Sequence, residues 1–170
     1  SLRGNARFTL TVRTLEHASH SGMFGGAVPD AMTAAIRLLS TLWDDDGAVA
    51  VDGLERRDAD TPPYSEDTLR DEAGLLDGVT PIGRGSLLSR IWNQPSVTVT
   101  GVDFTSVAAA SNTLYPEVSF VISSRVAPGQ PATDAFAALE KHLRAHVPFG
   151  AQIEFTDVDC GDGFLVDTTG

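Results

Sequence analysis

Four segments of this chain read as strands and two as helices, in an order that few folds accept. Residues 6–15, ARFTLTVRTL, place Phe8, Leu10 and Val12 on one side and Thr9, Thr11 and Arg13 on the other. A period of two marks a half-buried strand. Residues 97–102 alternate in the same way, and further strands are expected at 117–126 and 152–157. Residues 29–45 instead repeat apolar residues at helical spacing through Met32, Ala35, Ile36, Leu39, Leu42 and Trp43. Three acids, Asp44 to Asp46, oppose the dipole at that helix's end, where fraying is expected, and Gly47 can stop it. A second helix over 132–146 follows Pro131 and puts Phe136, Leu139, Leu143 and Val147 on one face. The order β-α-β-β-α-β predicts a ferredoxin-like α+β fold: a four-stranded antiparallel sheet with two helices on one face. An insertion at about 48–94 interrupts it. There a short strand at 48–51, a proline-bearing loop at 58–63, a helix at 65–76 and a helical turn at 86–92 are expected. Residues 105–116 read as a long loop. The fold alone implies no function, because many unrelated activities share it.

Charge and cysteine usage narrow the possibilities. The chain has 170 residues, ordinary for one domain, and a net charge of −11. Nucleic-acid binding needs a basic footprint, and an anionic membrane surface attracts one, so neither partner is expected. With a single cysteine, Cys160, no internal disulfide and no cysteine-rich zinc site can form. Its DVDCGDG setting predicts a raised thiol pKa and no nucleophilic role. No apolar run approaches the ~20 residues that span a bilayer, and no signal-peptide pattern opens the chain. The expected location is cytoplasmic.

The densest functional signal is HASHSGMFGGAVPDAM, residues 17–32. Gly22, Gly25 and Gly26 allow positive φ or a close approach to a ligand. Pro29 suits the first helical position, and Asp30 suits the first turn. The stretch therefore reads as a donor-rich loop at a helix N-terminus, beside the imidazole of His20, where an anion or oxyanion can sit. On spacing alone, a simple turn with an exposed histidine is the better explanation, because glycine turns before helices are common. Other constellations are weaker. Ser21 and His20 are neighbours in an extended segment and point apart. No phosphate-binding G-x-x-x-x-G-K-[ST] string occurs, and the acids at 44–46 and 157–162 lack EF-hand spacing. His142 and His146 stand i, i+4, but Leu143 replaces the glutamate a zincin helix needs, so they read as a solvated face.

HSGMFGG with VPDAM, then WNQPSVTVTGV at 92–102 and SNTLYPEVSFVISSRVAPGQ at 111–130, resembles the lid, or dimerisation, domain of the di-zinc metallopeptidases. That family holds carnosinases, aminoacylases, acetylornithine and succinyl-diaminopimelate deacylases and glutamate carboxypeptidases, and the dipeptidase branch is the nearest in pattern. The resemblance implies the same ferredoxin-like architecture and a role in pairing two subunits and covering the substrate. It implies that His20 donates to the oxyanion in the partner subunit's site. Asn112 and Arg125 would hold the substrate's terminal carboxylate and nearby backbone, and Gly25 and Gly26 join them as candidate substrate-binding residues. An arginine fork suits a carboxylate, and an asparagine both donates and accepts. The family's His-x-Asp and Glu-Glu metal motifs do not occur in these 170 residues. The chain is thus expected to be an excised lid, single-domain over 1–170, inactive alone and without metal ligands, from a parent holding two zinc or similar divalent ions. A homodimer through the edge strand 97–102 and the helix 29–45 is expected, with a dipeptide or N-acyl amino acid as the parent's substrate. The rival reading is a stand-alone ferredoxin-like binding module without catalysis.

Overall fold

The computed structural model describes residues 3–57 and 59–163. The first residue of the expected loop at 58–63 and the two chain ends lie outside the described residues. Four strands, β1 (Gly4–Arg13), β3 (Ser96–Asp103), β5 (Glu117–Val126) and β6 (Gln152–Gly161), form one sheet in the order β3-β5-β1-β6. All neighbours are antiparallel. A two-stranded ribbon, β2 (Ser19–His20) with β4 (Thr113–Leu114), stands apart from it.

The alternation of β1 does what a period of two requires. Ala6, Phe8, Leu10 and Val12 are buried, and Val118, Phe120, Ile122 and Val126 of β5 share their side of the sheet. Two helices, α2 (Ala31–Ser40) and α5 (Ala132–Ala145), cover that face with Ala34, Ala35, Leu38 and Leu39 from one and Ala135, Leu139 and Leu143 from the other. Alanines at the contact let both helices lie close to the strands. Each fully buried Leu, Ile or Phe here is worth about 1.5–3 kcal/mol. Phe136 meets Phe8 edge-on at 5.3 Å between ring centroids.

The first long helix is shorter than its periodicity suggests. Asp30 is its cap, with Oδ2 accepting from the Thr33 N–H at 3.0 Å, so Pro29 precedes the helix and does not open it. The helix stops at Ser40. Thr41 Oγ1 donates to the Leu38 carbonyl, and the Thr41 and Leu42 N–H groups reach back to Leu38 and Leu39, tightening the last turn. Trp43 leaves the helix, bridges Val49 and donates from Nε1 to the Val97 carbonyl at 3.2 Å. The acids therefore do not fray a helix end. Asp44 and Asp46 each hold Arg84 at 2.7 Å, and Gly47 (φ 80°) turns the chain after them. Residues 48–51 make that single bridge, not a strand.

Within the insertion, α3 (Glu66–Ala73) is capped by Ser65 and closed by left-handed Gly74, and α4 (Leu87–Trp92) is capped by Ser86. The last strand runs beyond residue 157 because a bulge at Asp157 (φ 51°) absorbs the register shift against β1. No helix is long and apolar enough to cross a membrane among the described residues.

Candidate functional site

The loop expected at 105–116 contains β4, and β4 builds the site. Ser19 pairs with Leu114 and His20 with Thr113. One residue further on, the Ser21 N–H donates to the Asn112 carbonyl at 3.0 Å. His20 and Asn112, about ninety residues apart in sequence, thus become neighbours. The Ala31 N–H donates to the Tyr115 carbonyl, which ties the start of α2 to the same corner. Hydrogen bonds to Thr105 and Ser111 hold the Tyr115 phenol below its ordinary pKa.

His20 is exposed and caps α1 (Ser21–Phe24), its Nδ1 accepting from the Gly22 N–H at 3.0 Å. Further along the turn, three more donors are occupied. The Gly25 N–H goes to the Ser21 carbonyl at 2.8 Å, and the Ala27 and Val28 N–H groups go to the Phe24 carbonyl. Asp30 places a carboxylate at the start of α2. The Gly22, Gly25, Ala27 and Val28 N–H groups of the stretch are therefore engaged within it and are not turned to an anion. Gly25 is required by crowding: a Cβ there would lie 2.5 Å from the Ser21 carbonyl oxygen. Gly26 is required by its φ of 97°. Both line a depression of about 340 Å³ with Pro29, Thr33 and Phe149.

Arg125 stands elsewhere. It lies one residue from the end of β5, opposite Asn5 on one side and Ser96 on the other. The strand starts at Glu117, near the His20 corner, so eight steps at about 3.3 Å each put Arg125 roughly 26 Å further along the sheet. It is exposed and makes no ion pair among the described residues. Burial, with Arg125 nearby, lowers the Arg3 guanidinium. The structure therefore joins His20 to Asn112 and leaves Arg125 apart.

The helix histidines are not simply solvated. Their rings stack at 4.0 Å, and His142 Nε2 lies 2.9 Å from Thr41 Oγ1, joining α5 to the end of α2. Burial, then the neighbouring His146, lowers the His142 pKa. Burial and the neighbouring Asp159 and Asp162 raise the Cys160 thiol. Among the described residues, no group of three or more His, Cys, Asp or Glu could hold a metal ion.

A family model described as the peptidase dimerisation domain matches residues 1–151. The chain belongs to this family. The peptidase dimerisation domain explains the ferredoxin-like order with its β2–β4 ribbon and meets the resemblance read from HSGMFGG. The chain is 33% identical over 172 aligned residues to a cysteinylglycine-S-conjugate dipeptidase of Corynebacterium striatum, covering 99% of this chain and 38% of that protein. It is 25% identical to a Cys-Gly metallodipeptidase of Schizosaccharomyces pombe, over 84% of this chain and 32% of the relative. The fold matches a crystal structure of human carnosine dipeptidase 1 with a TM-score of 0.73 at 18% identity, over 97% of this chain and 38% of that one. The chain thus spans about a third of the length of these relatives.

Proposed function

We propose that this peptidase dimerisation domain is the lid of a zinc-dependent dipeptidase or related amidohydrolase, and that it serves two active sites at once. The observation that carries this reading is the separation of His20 and Asn112 from Arg125. An extended dipeptide is about 7 Å long, far short of the roughly 26 Å between the two ends of β5. One chain cannot bring all three residues to one dipeptide or N-acyl amino acid. A two-fold dimer can, if His20 and Asn112 reach the partner's site while Arg125 serves the other. In this reading the Arg125 guanidinium pairs with the substrate carboxylate, and Asn112 orients the nearby backbone. His20 donates to the oxygen that gains charge in the tetrahedral intermediate. Gly25 and Gly26 shape the turn that presents His20, and their depression faces substrate. In the parent, two zinc or similar ions supply an activated water.

Two features support the pairing. The strand β3 is an edge of the sheet, with open N–H and C=O groups for a symmetric copy, and Trp43 ties the end of α2 to it. Ile36 of α2 is 58% exposed and Val102 of β3 is 54% exposed, apolar surface that a homodimer through α2 and residues 97–102 would cover. The test is complementation in the full-length parent. A His20→Ala subunit is mixed with one lacking a catalytic metal ligand. One site of each heterodimer then has both intact metals and a donating histidine, and activity should return. Heterodimers that form without regaining activity refute action across the interface.

A further inference from the structure

We infer that Gly22 is a positioning residue that fixes both the place and the tautomer of the His20 ring. This rests on the oxyanion role proposed for His20. A backbone N–H can only donate, so the 3.0 Å contact from Gly22 makes Nδ1 the acceptor. In the neutral ring the proton is then on Nε2, which remains as the donor. The opposite tautomer would present a bare Nε2 lone pair to a developing oxyanion and repel it. The same glycine makes room for the ring. A Cβ at position 22 would lie 2.8 Å from His20 Cε1 and 3.0 Å from Nδ1. The backbone does not demand glycine here, because Gly22 is not one of the left-handed glycines. Among the described residues, no backbone atom outside this helical turn meets that Cβ, in contrast to position 25, where the Ser21 carbonyl blocks it. What alanine displaces at position 22, among the described residues, is the exposed imidazole. Alanine is also a better helix former than glycine. Gly22→Ala therefore keeps the fold and moves the ring, which breaks the cap bond and frees the tautomer.

Two measurements test this. In the 170-residue chain, labelled with 15N-histidine, long-range 1H–15N spectra report each ring's tautomer, and a His20→Ala spectrum assigns the His20 signals. At a pH where the ring is neutral, His20 should show an unprotonated Nδ1 and a protonated Nε2. Gly22→Ala should give averaged nitrogens with an otherwise unchanged amide spectrum. In the full-length parent, Gly22→Ala should lower kcat about ten- to a hundred-fold with KM nearly unchanged, because a misplaced donor loses transition-state contact only. A Gly22→Ala protein with wild-type His20 nitrogens and wild-type kcat overturns the proposal. An unchanged kcat in the parent's His20→Ala variant overturns the oxyanion reading instead, and the chain's spectra still decide the geometry.

Discussion

At the scale of single residues, side chains of similar appearance separate by what their atoms touch. On the oxyanion role proposed above, His20→Ala in the parent would remove a donor that acts in the transition state. Its kcat should fall by about 10²–10³ while metals and dimer are kept, as steady-state kinetics with metal analysis can show. Arg125→Ala should chiefly raise KM, because the carboxylate is charged in ground and transition state alike. Two glycines of the turn give a stability contrast. Gly25→Ala forces a Cβ against a backbone carbonyl and should destabilise by about 1–3 kcal/mol. Gly26→Ala meets open space and carries only the left-handed strain, about 1 kcal/mol. Urea midpoints of the two variants check the order, and equal midpoints would refute it. None of this was visible as spacing. HSGMFGG announces a turn, but its hydrogen bonds choose which glycine serves the ring and which the backbone.

At the scale of elements, the junction of α2 with α5 carries a pH dependence. Burial and His146 hold the folded pKa of His142 below its ordinary value. The unfolded chain therefore binds the proton more readily, and this contribution to stability is present above the unfolded value of about 6.5 and is lost as pH falls below it. The wild-type urea midpoint should drop between pH 7.5 and 5 by more than that of His142→Gln, whose amide can still donate to Thr41. Parallel pH profiles would exclude His142 as the cause. The other exposed junction is the β3 edge with α2. Ile36→Asp and Val102→Asp should leave the monomer folded and weaken self-association by tenfold or more, read by sedimentation over a concentration series. The boundaries of these elements were less legible than their existence. The spacing of Leu42 and Trp43 continues the helical period beyond residue 40. Thr41 nonetheless ends the helix through its own hydroxyl, and Trp43 finds a better partner in the Val97 carbonyl.

On the scale of the whole molecule, the sheet sets the working distance. A ten-residue central strand keeps the His20 corner and Arg125 at opposite ends, and on the function proposed above the two ends would serve different active sites of an assembly. The 170-residue chain by itself should hydrolyse no dipeptide and retain no stoichiometric zinc after dialysis. Metal analysis beside a dipeptide assay checks this, and one tightly held zinc per chain would refute it.

The sequence by itself determined the elements and their order. Apolar residues at periods of two and 3.6 record which face each segment buries, and a buried face is a local property of the chain. It also determined the family, through HSGMFGG and the strand segments around residues 97 and 120. Only the tertiary structure decided which loops meet. The β2–β4 ribbon brings Asn112 to His20, and the length of β5 takes Arg125 away, through hydrogen bonds between backbones far apart in the chain. Such pairing leaves no periodic trace, because every residue offers the same N–H and C=O and the fold alone selects the partners.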